Sequence, residues 1–466
     1  MLAAEIIGKV LFFVLFIVLS YHFTPAILGG YITLTAFLYF TSTLTDAGIP
    51  QVLMREIAKN QSNTSRLLSH GLTITAGTTI FACLILAIIA KFGGYSAELR
   101  PLIALIGLAV IGNCMMQVGF SVFRGYERME IQALITSILL LITSMVGIGL
   151  AFAKFGLVAQ FINLVTWPIV GAIIALSIVH RRFARLSLAF DGQACRRLFF
   201  EALPIGLLLW CVVFLQWFDL LALGHFRPMA DVAIYGTACK IFDGAGMFLA
   251  CGIVALVPAM SIYWTQSVDK ARILYEKSLR PFAAVGLGGT TGLVLLAGSL
   301  IPAIFGVNYR EAIAPLKVLA FSFVLIAIGA PVVVLLLSVN GLLKRFFPLL
   351  ICVLCGNVLS NLILAPRFGY MGSAVAFLLT ICIAFLVSLK IVRACFGKAP
   401  FMWSLFTRPA LASLAMALVL WKFRTASVFL SIPVGLAVFI LVLFLLGELR
   451  QEPYRSMLTQ KAHAEK

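Results

Sequence analysis

Charge is scarce in this chain: Asp, Glu, Lys and Arg make up 11% of its 466 residues, whereas soluble domains carry about a quarter. With 62% hydrophobic residues and a mean hydropathy of +1.10, a water-soluble fold is excluded. No stretch between the apolar runs is long enough for a nucleotide-binding domain, and no Walker sequence occurs, which excludes ATP hydrolysis by this chain as a driving force. The short alternating segments of a membrane β-barrel are absent too. Most of the ten cysteines fall within apolar runs, where a free thiol behaves as a small hydrophobe, so no disulfide framework follows. Cys352 and Cys355 form a CxxC inside such a run without a second ligand pair, which reads as packing. No metal, cofactor or catalytic residue is expected.

Acidic residues are the scarcest charge, 17 against 35 Lys and Arg, giving a formal net charge of +18. The cations sit in short clusters between apolar runs and not on one soluble surface, which argues against nucleic acid and for orientation in an anionic bilayer.

What the chain does have is a succession of apolar runs of about 20 residues, each long enough to cross roughly 30 Å of hydrocarbon as a helix. The first, Ile6 to Phe23, lacks the basic start and small-residue cleavage site of a signal peptide and is read as a span. Spans are expected at 5–23, 27–47, 67–91, 101–123, 131–153 and 156–180; at 198–223, 231–260, 279–304, 313–339, 346–365 and 370–393; and at 404–422 and 427–447. Cations test this count, because cytoplasmic loops carry the Lys and Arg excess. Alternate loops hold Arg55, Lys59 and Arg66; Arg124 and Arg128; Arg181, Arg182, Arg185, Arg196 and Arg197; Lys270, Arg272, Lys277 and Arg280; Lys344 and Arg345; Lys390, Arg393, Lys398 and Arg408; and Arg450, Arg455, Lys461 and Lys466. The intervening loops hold only Lys91, Arg100, Lys154, Arg227, Arg310, Arg367, Lys422 and Arg424, so both termini are expected in the cytoplasm.

An internal repeat links the two blocks of six. His22, Phe23, Pro25 and Tyr31 match His225, Phe226, Pro228 and Tyr235, and Lys154-Phe155-Gly156 matches Arg367-Phe368-Gly369. The expected fold class is therefore an all-α integral membrane protein of about 14 transmembrane helices: two six-helix bundles in pseudo-twofold parallel repeat plus a C-terminal helix pair. The corresponding domains are 1–185, 186–398, and 399–466 with a cytoplasmic tail.

Charges inside spans are costly, so each is a candidate for function. Lys240 lies about ten residues into the eighth span, roughly 15 Å from its outer edge. Asp243, three residues on, shares its helical face. The pair reads either as cavity-lining groups that handle substrate or ions, or as an ion pair fixing helix packing. Asp219 near the outer end of span seven, Lys9 near the inner end of span one, and Asp46 at the turn that carries Arg55 and Glu56 are further candidates, with interfacial or span-end roles as the alternative. Gly286-Leu287-Gly288-Gly289 lies within a span, without a preceding strand or a following Lys, and is no phosphate loop.

Four stretches resemble the polysaccharide transporter (Wzx-type) branch of the multidrug, oligosaccharidyl-lipid and polysaccharide (MOP) exporter superfamily. They are TDAGIPQVLMREIAKN (Thr45 to Asn60), FDLLALGHF with IYGTACKIFD (Phe218 to Asp243), FGVNYREAIAPLKVLA (Phe305 to Ala320) and NLILAPRFGYMGSAVA (Asn361 to Ala376). The first is the most specific, with its Asp-x-Gly turn and Arg-Glu pair. The resemblance implies two six-helix bundles around a central cavity, alternating access, and a flippase that is not an enzyme. Its cargo would be an undecaprenyl-diphosphate-linked oligosaccharide for O-antigen, exopolysaccharide or capsule assembly. Lys240, Arg55 and Lys9 would meet substrate, while Asp243, Asp219, Asp46 and Glu56 would couple ions or pair charges; Arg55 and Glu56 match the family's motif directly, and Lys9 rests on position alone. Implied partners are the lipid-linked glycan, membrane lipids, a polysaccharide polymerase and a chain-length regulator, in a bacterial inner membrane. Rival readings are a cation-coupled multidrug exporter of the same superfamily, which would favour an acidic cavity, and a membrane polysaccharide polymerase, which would need sizeable outer loops.

Overall fold

The computed structural model describes residues 2–185, 191–339, 341–397, 404–423 and 427–447, with the side chains of 2–7, 9, 208, 343, 344, 404 and 405 outside what is described. Among the described residues there is helix and no strand, as expected where lipid cannot satisfy a backbone amide and each segment must do so internally. The α-helices are α1 (Leu2–His22), α2 (Pro25–Asp46), α3 (Ile49–Lys59), α4 (Thr64–Phe92), α5 (Leu99–Gly125), α6 (Met129–Phe152), α7 (Leu157–Arg182), α8 (Gly192–Phe226), α9 (Met229–Gln266), α10 (Val268–Phe305), α11 (Ile313–Ser338), α12 (Leu342–Phe396), α13 (Ser404–Lys422) and α14 (Val428–Leu445).

Among the described residues, eleven helical segments are long and apolar enough to cross a membrane. They meet the 14 expected spans except at three places. α1 is counted only through a shorter apolar stretch, Val10–His22, and α13 is not among the eleven. α12, 55 residues long, carries the expected spans 346–365 and 370–393 in one run, broken only by the backbone of Gly369 at φ 58 and ψ −137. That conformation is open essentially to glycine alone, so the repeat partner of the Gly156 turn persists here as a kink.

Several expected boundaries move. The segment after α2, expected as a loop, is the helix α3, in which Ile49, Pro50, Val52, Leu53 and Ile57 are buried while Arg55 is exposed. α8 starts at Gly192, ahead of the expected 198, because the Asp191 carboxylate caps it by accepting the Gln193 and Ala194 amides at 3.1 Å. α10 likewise starts at Val268 and not at 279, with the Ser267 hydroxyl accepting the Asp269 amide at 3.2 Å. Hydropathy marks the part of a helix in hydrocarbon; the caps mark where the helix ends.

The chain divides into two compact units, up to Gly236 and from Thr237. In the first, one core cluster draws on Leu34 and Phe37 of α2, Leu86 of α4, Ile103 and Ile106 of α5 and Phe161 of α7. A second gathers α3, the far end of α5, α6, α7 and the start of α8 through Val52, Phe123, Ile135, Val179 and Leu198. α8 packs against α2, α3 and α4. The approach is closest where the α2–α3 turn meets α8: Ala47 and Gly48 have φ of 46° and 78°, and a methyl added at Gly206 would lie 2.3 Å from the Ala47 carbonyl carbon. At the other end of α2, a methyl added at Gly29 would lie 1.7 Å from the Met229 carbonyl oxygen.

In the second unit α10 packs on α11, α11 on α12, and α13 on both α10 and α14. Met416 and Leu420 of α13 and Phe439 and Leu443 of α14 form a cluster with Ala284 of α10. The Phe242 ring of α9 meets Phe323 of α11 and Phe377 of α12 edge-on, at 5.9 and 5.7 Å.

Candidate functional site

The candidate residues fall in three places. On α9, Lys240 is half-buried and Asp243 is exposed. Helical spacing puts both on one face with Met247 and Val254, which are 39% and 71% exposed. Asp243 lies fourteen residues from the start of the 38-residue helix, roughly 21 Å along it. A carboxylate at that depth which its own chain leaves uncovered is costly against hydrocarbon. The arrangement suits a face that meets water.

Asp219, on α8, is 3% exposed and accepts a hydrogen bond from the Tyr235 hydroxyl at 3.1 Å. It ties α8 to the start of α9 within the first unit. Tyr235 is itself buried, as is its repeat partner Tyr31.

The third place is the α3 side of the first unit. Arg55 donates through Nε to Glu56 at 3.1 Å and through Nη2 to Glu201 of α8, while Lys59 donates to Glu56 at 2.8 Å. Hydrogen bonds from Lys59 and then Arg55 hold the Glu56 carboxyl below its ordinary value, and the bond to Glu56 holds the Arg55 guanidinium above its own. Arg66 pairs with Asp191 at 2.9 Å, and the Cys195 thiol lies 3.5 Å from His70 Nδ1. Arg55, expected to meet substrate, and Glu56, expected to couple ions or pair charges, bridge α3 to itself and, through Arg55, to α8. Asp46 ends α2 half-buried, and among the described residues its Oδ1 has no hydrogen-bond partner. Lys9 lies on α1, its side chain outside the described residues.

Two polar clusters escaped the reading of charges. Among the described residues the buried atoms Ser42 Oγ, Gln51 Oε1, Thr75 Oγ1 and Arg124 Nη2 also have no hydrogen-bond partner, and the Cys114 thiol donates to the Ser42 carbonyl at 3.6 Å. In α12, Asn357 and Asn361 are fully buried; Asn357 Nδ2 donates to Thr380 Oγ1 across the Gly369 kink at 3.2 Å. Their signal was present as asparagines four residues apart in an apolar run. Cys352 and Cys355, on the same helix, are free and exposed. Among the described residues no group of three or more His, Cys, Asp or Glu side chains is placed to hold a metal ion.

A family described as polysaccharide biosynthesis protein matches residues 1–264, more than half of the chain. The chain belongs to that family. Among curated proteins it is similar to "Probable flippase AglR" of Haloferax volcanii, 22% identical over 361 residues that cover 74% of this chain and 73% of that one. It is also similar to "Probable low-salt glycan biosynthesis flippase Agl15" of the same organism, 22% identical over 256 residues and 53% of each chain. Among solved structures, lipid II flippase MurJ in an inward closed conformation superposes with a TM-score of 0.79 at 14% identity, covering 96% of this chain and 98% of that one. An inward-facing multidrug resistance MATE transporter of the MOP superfamily follows at 0.66 and 14% identity, covering 84% and 96%. At such identity the likeness shows the fold alone, which this chain shares with both structures.

Proposed function

We propose that this member of the polysaccharide biosynthesis family is a flippase. It moves an undecaprenyl-diphosphate-linked oligosaccharide from the cytoplasmic to the outer leaflet of a bacterial inner membrane by alternating access, for O-antigen, exopolysaccharide or capsule assembly. It crosses the membrane 14 times with both termini cytoplasmic, as bundles 1–185 and 186–398 and a final pair with its tail, 399–466. It carries out no catalysis and works beside a polysaccharide polymerase and a chain-length regulator. A sugar diphosphate cannot enter hydrocarbon without replacement partners for its polar groups and charge. Lys240 supplies a cation for the diphosphate, with Asp243 beside it to balance the empty state or couple an ion. An inside-negative potential favours outward movement of an anionic headgroup by roughly 2.3 kcal/mol per charge per 100 mV.

The observation that carries this reading is the charged pair at mid-helix on α9, Lys240 half-buried and Asp243 exposed. The test is surface-glycan export, normalised to membrane-inserted protein, in a host lacking its own flippase. Lys240→Leu alone should lower protein level and export; with Asp243→Leu added, protein should recover while export stays lost, because removing both charges restores packing but not the cation. Lys240→Arg should keep part of the export. Wild-type export by the double leucine variant would refute the substrate role of Lys240.

A further inference from the structure

One end of the first unit holds more positive charge than its carboxylates can balance. α7 closes on Arg181 and Arg182, Arg185 follows, and α8 opens with Arg196 and Arg197; all five are exposed. They lie at the same end of the unit, since Val179 of α7 and Leu198 of α8, each within three residues of an arginine pair, share one core cluster. Four carboxylates at this end are engaged with other cations: Asp191 with Arg66, Glu201 with Arg55, Glu56 with Arg55 and Lys59, and Glu130 with Arg128. Among the described residues none of these five arginines forms an ion pair.

The first turns of α8 have two distinct faces. Cys195, Leu198 and Ala202, spaced three and four apart, are buried against the unit's core, which turns Arg196, Arg197 and Phe200 outward. Phe200 is 56% exposed, and the Arg196 guanidinium lies 5.8 Å from the centroid of its ring. A soluble polyanion would meet only the arginines and leave that ring in water. At the end of membrane-crossing helices, a ring at the acyl boundary with guanidinium groups at phosphate level matches the headgroup zone of a bilayer. Adjacent guanidinium forks suit phosphate, which they bind in bidentate fashion.

We infer that the face made by Arg181, Arg182, Arg196, Arg197 and Phe200 is a docking surface for anionic phospholipid, whose phosphates bridge the end of α7 to the start of α8. The surface needs the membrane setting but not the glycan cargo, so its test stands apart from the transport assay. Full-length protein in detergent is titrated with phosphatidylglycerol and, in parallel, phosphatidylcholine, and bound lipid is counted by native mass spectrometry. The wild type should bind phosphatidylglycerol preferentially. Replacing all four arginines by Gln should weaken that binding about tenfold or more, each surface cation contributing several-fold. Replacing them by Lys, which keeps the charge that orients the chain but loses the fork, should give an intermediate value; the pair Arg196→Gln with Arg197→Gln serves if the fourfold variant fails to accumulate. Lys270→Gln with Arg272→Gln, in the other unit, should change nothing. Equal phosphatidylglycerol binding by the wild type and the Gln variant overturns the inference. So does displacement of the lipid by micromolar inorganic pyrophosphate, which would assign the surface to a diphosphate.

Discussion

The contact between α8 and the α2–α3 turn can be tested with a single methyl group. In Gly206→Ala the new Cβ would sit 2.3 Å from the Ala47 carbonyl carbon and 2.4 Å from its oxygen, where ordinary contact begins at 3.4 Å. About 1 Å of retreat is required, and the turn cannot supply it. Its backbone is already left-handed at Ala47 and Gly48, and Gly48 in turn faces the Ala202 carbonyl and the Gly206 amide, each 2.6 Å from where its own Cβ would be. Overpacking of this kind costs about 1–3 kcal/mol, which is roughly a 5- to 150-fold rise in the population with α8 detached. Cys195 reports that detachment, because it is 8% exposed beside His70 in the part of α8 that packs on the unit's core. In a variant keeping Cys195 as its one thiol, the maleimide modification rate should rise by a factor in that range upon Gly206→Ala. Gly298→Ala, where nothing lies within 4 Å, should leave the rate unchanged. An unaltered rate for Gly206→Ala would show that the close approach does not hold α8 in place.

Two further outcomes are expected. Because the Glu56 carboxyl is held below its ordinary value, chiefly by Lys59, its contribution to stability is present above the unfolded-state pKa and is lost as pH falls through the lower folded-state pKa; unfolding monitored across that acid range should show a wild-type loss that Glu56→Gln lacks, and identical acid limbs would refute the network. Reporters active only in the periplasm should be active when fused after residues 95, 227, 310 and 424 and silent after 60, 190, 270 and 398, with activity at 190, inside the densest arginine cluster, breaking the proposed topology.

The sequence by itself determined that the chain is helical and membrane-embedded, because 62% hydrophobic composition in runs of about 20 residues leaves no other way to satisfy the backbone in lipid. The motif between Thr45 and Asn60 was likewise enough to point to the family. Lys240 and Asp243 were legible as candidates, since charge in an apolar run stands out at any depth. Tertiary structure alone decided that Asp243 stays uncovered while Asp219 is buried under Tyr235, that Arg55 reaches across to Glu201, and that α8 lies against α2, α3 and α4. It also decided that the stretch after α2 is a helix. These include contacts between residues far apart in the chain, 146 positions for Arg55 and Glu201, and close backbone approaches at Gly29 and Gly206, where the determining feature is a missing side chain. A pattern of polarity along the chain carries no record of which missing side chain faces which backbone.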